Sequence, residues 1–402
     1  MTALSRQLPP LDTFAAAMPP CGTMPQASNR DDRIASVEVT LISIPLPRDF
    51  RGSVYHVTAK NCLITRVRTA GGAIGEAVNG EGDIAIHRLT AKLLRDEMAS
   101  VLLGLDATRI EYCWERMWQV THRMGLDRRA AVRAVACVDS ALWDMLGKST
   151  GESLHRLWGG YRDALPIIAI GGQYVDGFAP EDYGHEIEEL RALGIGGCKF
   201  KVGGLSPAED AARIRAARRA AGDDFILCAD ANRGWRRQDA IDFARRVSDL
   251  GLRWFEEPCH WSNDRRDMAA VRAATGLPIA AGQSEITAEA CRDLLMDGAI
   301  DICNIDASWG GGPTAWLRIA HTASCFGAEM AHHGEPVVGA QLLAAVANGT
   351  YVETHHPDRD PIFHKMIRGR GTIANGVYTL GSGPGWGVDF DPDFVRHHAV
   401  EL

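Results

Sequence analysis

From about residue 196 onward, short apolar runs that end in a polar or acidic residue recur roughly every 20–30 residues, as in a parallel βα array. Residues 225–229 run into Asp230 and Asn232, and residues 252–255 run into Glu256-Glu257-Pro258. Residues 277–282 lead into Gln283-Ser284-Glu285, residues 300–305 into Asp306, residues 327–331 into His332-His333, and residues 350–352 into Glu353. Ala- and Arg-rich stretches such as 207–221 and 237–250 carry helical patterning between the runs. The first has Ser206 as N-cap and Pro207 at the first helical position. Strands alternating with helices predict a parallel sheet closed on itself, with catalytic groups at its C-terminal strand ends. One acidic residue after a strand is often only a helix cap. A succession of strand ends carrying ligand-type or proton-transfer residues points instead to a site.

Upstream, residues 36–41 and 61–67 alternate in β fashion, and helical patterns follow over 85–103 and 108–121. The pattern predicts an extension over 1–33 with no sustained period and an α+β domain over 34–160. A barrel over 161–377 follows, then a segment over 378–402, which is expected to return to the α+β domain. Two cores suit 402 residues, because single cores tend to split beyond roughly 250–300 residues.

Strand alternation over 196–202 places Lys199 and Lys201 on one face, with Cys198, Phe200 and Val202 on the other. Neighbouring lysines disfavour each other's charge, and a lysine pushed towards neutrality makes a good base. Lys-x-Lys alone is more often a solvated edge; the strand ends that follow favour the functional reading. Asp230 and Glu256, with a further oxygen from Gln283 or Glu285, suit a hard, roughly six-coordinate cation. That describes Mg²⁺ better than Zn²⁺. His333 and Asp306 form a dyad in which the carboxylate sets the imidazole tautomer and raises its basicity. A lysine on one side, the dyad on the other and a metal between them serve proton removal next to a carboxylate. The metal and nearby donors stabilise the enediolate.

From about Ile34 to near its C-terminus, the chain resembles the mandelate racemase subgroup of the enolase superfamily. The motifs are Lys199-Phe200-Lys201, Asp230-Ala231-Asn232, Phe255-Glu256-Glu257-Pro258, Asp306-Ala307-Ser308-Trp309-Gly310-Gly311 and His333. Residues 136–144 and Leu157-Trp158-Gly159-Gly160 match the helix that leads into that family's barrel. The resemblance implies an α/β fold, a modified TIM-type (β/α)7β barrel under an N-terminal α+β capping domain. It implies Lys201 as base with Lys199 modulating it, Asp230 and Glu256 as ligands of one Mg²⁺ per subunit, and a His333–Asp306 dyad on the opposite face. Glu353 matches the position that hydrogen-bonds the substrate carboxylate or its enediolate. The chain departs from the family at Gly282-Gln283, where Gly-Glu is usual, with Glu285 two residues on. Alternation aims both side chains the same way, and Glu285 is favoured as third ligand because a carboxylate adds charge.

In the resembled family a loop of the capping domain reaches the substrate's distal end. Here it spans residues 47–58 and offers Arg48, Arg51, Tyr55 and His56, while Asn232 and Trp309 line the pocket. Family sites with both Lys-x-Lys and His–Asp lean towards acid-sugar dehydratases. The expected reaction is dehydration of an aldonic or aldaric acid to a 2-keto-3-deoxy acid, with His333 as imidazolium protonating the departing β-hydroxyl. Racemisation, epimerisation or cycloisomerisation through the same enediolate is the alternative.

Apolar content of 46% and charged content of 23% are ordinary for a soluble protein, and a net charge of −8 argues against nucleic-acid binding. No apolar run is long enough for a signal segment or membrane span, so a cytoplasmic protein is expected. The ten cysteines contain no Cys-x-x-Cys pair and read as reduced, mostly buried thiols. Family members are commonly symmetric, which implies a homo-oligomer. His355-His356 and His397-His398 read as solvent-facing, and Gly310-Gly311-Gly312-Pro313 lacks the Lys-Ser/Thr of a phosphate cradle. A zinc hydrolase would need more histidine ligands than the strand ends supply. An inert barrel has no use for such charges crowded at one mouth.

Overall fold

The computed structural model describes residues 31–402, so most of the expected 1–33 extension lies outside the described residues. Strands β1 (Ile34–Arg51), β2 (His56–Thr69) and β3 (Ile74–Gly80) pair antiparallel in that order. Because β1 reaches Arg51 and β2 begins at His56, the loop expected over 47–58 is the tip of a hairpin, with a register shift between Pro45 and Phe50. The longer helices that follow are α1 (Ile84–Leu93), α2 (Ile110–Trp118) and α3 (Arg128–Thr150).

Helix α3 starts at Asp127, whose side chain accepts from the Ala130 amide, and ends at Gly151 with φ 74°. That left-handed stop suits glycine, which has no Cβ to clash. It packs on β2, β3 and α9 (Gly312–Cys325), and its buried carboxylates join the two domains. Asp139 accepts from the Thr314 amide at 2.9 Å and the Thr314 hydroxyl at 2.8 Å. Asp144 accepts from the Glu76 amide at 2.8 Å and the Trp386 amide at 3.0 Å.

His87 on α1 is buried beside Arg133 of α3, donating from Nδ1 to the Asp83 carbonyl at 2.8 Å. Burial and then the Arg133 charge lower its pKa to about 4, so the folded protein holds it neutral. The unfolded chain takes up that proton near its ordinary pKa of about 6.5. Stability is therefore full above about pH 6.5 and is lost as pH falls towards 4, by about 3 kcal/mol for this one group. We expect His87→Gln to flatten the decline of the denaturation midpoint between pH 6.5 and 4; an unchanged slope would remove His87 as its source.

The barrel strands are β4 (Ala164–Gly171), β5 (Gly197–Lys201), β6 (Ile226–Asp230), β7 (Phe255–Glu256), β8 (Ile279–Ala281), β9 (Ile302–Cys303), β10 (Glu329–Met330) and β11 (Val352–His355). Each pairs parallel with the next from β4 to β10, and β11 pairs parallel with β4. A parallel bridge from Met330 to Gly349 closes the ring. Helices α4 (Asp182–Ala192), α5 (Pro207–Ala221), α6 (Arg237–Arg246), α7 (Asp264–Thr275), α8 (Ala288–Met296), α9 and α10 (Pro336–Ala345) connect successive strands. This is the (β/α)7β barrel under an α+β cap that the resemblance implies. Helix α5 opens as its sequence predicts, with a reciprocal Ser206–Glu209 capping box and Pro207 in the first turn.

Ile168, Cys228, Trp254, Ala280, Ile302 and Ala331 form a small apolar cluster separate from the main core. Alternation along β6 sets Cys228 on the same face as Asp230, so this cluster fills the barrel interior beneath the strand ends. Near the C-terminus Val377–Thr379 pairs with β4 and Ala399–Val400 pairs with β1. The described cysteines are unpaired and buried except Cys325. Among the described residues no helix is long and apolar enough to cross a membrane.

Candidate active site

Register in the parallel sheet builds the site. Lys201 on β5 lies beside Asp230 on β6, and Asp230 lies beside Glu256 on β7, so three successive strand ends present charged groups to one mouth. Lys201 Nζ is 2.5 Å from Asp230 Oδ2. Deeper in, Lys199 Nζ is 2.8 Å from Glu256 Oε1, 2.6 Å from Glu353 Oε1 and 3.9 Å from Asp230 Oδ2. All five side chains are buried. Glu256 also accepts from Asn304 Nδ2 at 2.8 Å and from the Trp254 indole at 3.0 Å. Glu353 accepts from the Gly334 amide at 2.9 Å.

This pairing corrects the expected lysine chemistry. Burial works against both ammonium groups, but the carboxylates outweigh it, and both lysines are held above their ordinary value rather than below. For Lys199 the carboxylates are Glu256, Glu353 and Asp230; for Lys201 the first is Asp230. Burial pushes Glu256 up to about 8 against the pull of Lys199. The same burial acts on Asp230, where the two ammonium groups prevail and hold its carboxyl low.

Facing this cluster, His333 Nδ1 is 3.1 Å from Asp306 Oδ2, and the Trp309 ring lies 5.0 Å from the imidazole. The dyad forms, yet its electrostatics differ from expectation. Burial first, then Lys199, push the imidazole well below its usual value, while burial raises the Asp306 carboxyl. In this state His333 is neutral: Nδ1–H donates to Asp306 and Nε2 remains an acceptor. Asp306 sets the tautomer, and burial with the Lys199 charge outweighs its pull on the imidazole.

A cavity of about 590 Å³ lies between the two groups and is lined by Tyr55, His56, Lys201, Asn232, Gln283, Trp309 and His333. The Tyr55 ring centre is 5.7 Å from Lys201 Nζ. Asn232, at φ 45°, is drawn to Asp230 by its amide N–H at 2.8 Å and its Nδ2 at 3.3 Å. Lys199, Asp230, Glu256, Asp306 and Glu353 are buried behind this lining.

Three sequence-predicted residues do not reach the cavity, the exposed Arg48 among them. Arg51 is turned outward to Asp176. Glu285 lies in a neighbouring cleft with Asp264, Arg265 and Asp293. The preference for Glu285 over Gln283 rested on strand alternation, but β8 stops at Ala281. Gly282 at φ 141° begins a turn, closed by the Glu285 amide donating to the Gly282 carbonyl at 3.0 Å. In a turn the two side chains diverge, and Gln283 is the one in the cavity. Its Nε2 is 3.5 Å from Glu257 Oε2, while its Oε1 is buried with no partner.

Among the described residues no three His, Cys, Asp or Glu side chains cluster as a metal site. The donor set is two carboxylates, Asp230 and Glu256, with amide oxygens beside them. Gln283 Oε1 and Asn232 Oδ1 are both buried without a hydrogen-bond donor, which is how oxygens meant for a hard cation stand when it is absent. The residues present therefore fit Mg²⁺.

Sequence reasoning missed Lys60, Asn61, Glu81 and His355, which line the same cavity. His355, expected in solvent, is 5% exposed. Its signal was its place two residues after Glu353, on the same face of β11.

Residues 36–159 match the mandelate racemase/muconate lactonizing enzyme N-terminal domain, and residues 182–394 match the enolase C-terminal domain-like family. An arabinonate dehydratase of Saccharolobus solfataricus is 30% identical over 335 residues, 81% of this chain and 87% of that one. A 3,6-anhydro-alpha-L-galactonate cycloisomerase of Streptomyces coelicolor is 31% identical over 372 residues, 91% of this chain and 99% of that one. Among solved structures, a mandelate racemase/muconate lactonizing enzyme from a marine actinobacterium, in complex with magnesium, is 44% identical. It superposes with a TM-score of 0.85, covering 92% of this chain and 99% of that one. Fold and site are thus those of a capped-barrel enzyme. The chain belongs to the enolase superfamily, in its mandelate racemase/muconate lactonizing enzyme branch.

Proposed function

We propose that this enzyme is a Mg²⁺-dependent acid-sugar dehydratase that removes the proton α to a carboxylate and eliminates the β-hydroxyl, giving a 2-keto-3-deoxy acid. The reading is supported by Lys201 and His333 lining one cavity, with Asp230 and Glu256 buried behind that lining and Gln283 Oε1 unpartnered. Asp230, Glu256 and Gln283 would hold the cation, which when bound neutralises charge on the substrate carboxylate as the enediolate forms. Lys201 takes the α-proton. The raised value of its ammonium comes from Asp230, a carboxylate that serves as ligand in the loaded site, and Lys199 then remains as its like-charged neighbour. His333, oriented by Asp306, enters the reaction as the imidazolium, having taken a proton at Nε2 from solvent, and passes it to the departing hydroxyl, with the carboxylate stabilising the imidazolium. Glu353 holds Lys199 in place. Trp309, Asn232, Tyr55 and His56 wall the pocket.

Support for dehydration comes from the arabinonate dehydratase relative. The cycloisomerase relative of similar identity supports a second reading, isomerisation through the same enediolate. Incubating the protein with Mg²⁺ and a library of aldonic and aldaric acids, with semicarbazide detection of 2-keto acid, separates them. We expect keto acid from a small set of configurations. Inverted or ring-opened product without keto acid would replace dehydration by the isomerase reading.

A further inference from the structure

One end of the cavity, beneath the hairpin tip, has a chemistry that the proton transfers do not use. Lys60 and Asn61 on β2, Glu81 just past β3 and His355 at the end of β11 line it. Lys60 is 3% exposed, and Asn61 and His355 are 5% exposed. Three polar atoms here are buried without a hydrogen-bond partner: Asn61 Oδ1 and both ring nitrogens of His355. Glu81 Oε1 lies 3.5 Å from Nε2. Buried polar atoms left unpaired cost stability, and an enzyme pocket is where a substrate supplies the missing partners.

The charges limit what that partner is. Lys60 is ion-paired with Glu81, and buried Asp360 adds a second negative charge to its surroundings. Burial and the Lys60 charge hold His355 below its usual value, against the pull of Glu81. The imidazole is thus neutral, with one donor and one acceptor nitrogen. One positive and two negative groups leave this end net negative. A carboxylate brought here would be repelled, and having only acceptors it would leave Asn61 Oδ1 without a donor. A hydroxyl both donates and accepts, so a run of hydroxyls satisfies Asn61 Oδ1 and both His355 nitrogens. The guanidiniums of the same cavity stand elsewhere: Arg233 is 3.3 Å from Glu257, and Arg129 is 3.2 Å from the Ser284 carbonyl, both by the Gln283 turn.

We infer that Lys60, Asn61, Glu81 and His355 are the specificity-determining set for an uncharged, hydroxylated tail, and that the substrate is a monocarboxylic sugar acid rather than a dicarboxylic one. This rests on the dehydratase reading and narrows it.

The test gives purified full-length protein with Mg²⁺ a set of aldonates and the aldarates of matching configuration. It reads 2-keto acid together with solvent deuterium at the α-carbon. We expect kcat/KM for the best aldonate to exceed that for its aldarate by about 100-fold or more. His355→Leu and Asn61→Leu should each lower aldonate kcat/KM by about tenfold or more, carried mainly by KM. Circular dichroism confirms folding of each variant, and His355→Gln, which keeps a donor and an acceptor, should recover part of the loss. Equal or preferred use of aldarates, or an unchanged KM in both leucine variants, overturns the inference and leaves the dehydratase reading standing. Neither keto acid nor exchange with either class overturns that reading, and the inference falls with it.

Discussion

Replacing His333 with Asn is expected to abolish 2-keto acid formation, by about 10³-fold or more, while solvent deuterium still enters the α-carbon of a bound acid sugar. Lys201→Met is expected to abolish both. The asymmetry follows from the proposed roles: without the proton donor the enediolate forms and returns, whereas without the base it never forms. The two side chains suit such a separation, because Lys201 is anchored at 2.5 Å to Asp230 and His333 at 3.1 Å to Asp306, with no shared partner. Isotope exchange followed by NMR, beside a keto-acid assay, reads both steps in one sample. The opposite pattern, with exchange lost in His333→Asn and kept in Lys201→Met, would exchange the two roles. Full activity in both variants would end the proposed mechanism. Removing one member of a buried ion pair costs about 3–5 kcal/mol, so Lys201→Met should also melt at lower temperature in the metal-free protein. A melting curve separates that loss from the loss of chemistry.

The second large effect concerns the cation, and calorimetric titration with Mg²⁺ reads it without any substrate. Asp230→Asn and Glu256→Gln are each expected to weaken binding beyond detection, because each removes one of only two carboxylates in the donor set. Gln283→Glu should tighten binding by about tenfold or more, since a third negative charge then faces the divalent ion. Glu285→Gln should leave the affinity unchanged, as that side chain lies in the neighbouring cleft. Weaker binding in Glu285→Gln, with none of the expected gain in Gln283→Glu, would restore Glu285 as the third ligand.

Register explains how much of this site was legible in the chain. Lys199, Lys201, Asp230 and Glu256 follow apolar runs of parallel strands, and their positions depend only on alternation and strand order. His333 and Asp306 were legible for the same reason. The third metal ligand was not, because β8 ends two residues before Gln283 and a turn obeys no alternation. Arg51 was misread because its partner Asp176 is distant in sequence and no local pattern announces their pairing. The lysine protonation was misread because Lys-x-Lys displays the neighbouring ammonium, whereas Glu256 and Glu353 converge on Lys199 only after the ring closes. His355 was hidden by the opposite error, since adjacent histidines resemble solvent-facing residues until the cap covers one of them.

Helix α3 bears on any attempt to re-engineer the enzyme. A chimera that borrows the β1–β2 hairpin of a relative inherits a seam that includes two carboxylates of α3. Asp139 grips Thr314 in the barrel, and Asp144 holds both the Glu76 amide in the cap and the Trp386 amide near the C-terminus. A graft cut before α3 sets a foreign sheet on a native fastening, and one cut after it sets a foreign fastening on native amides. The workable unit of exchange is the hairpin tip between β1 and β2, which can change its residues without crossing the seam.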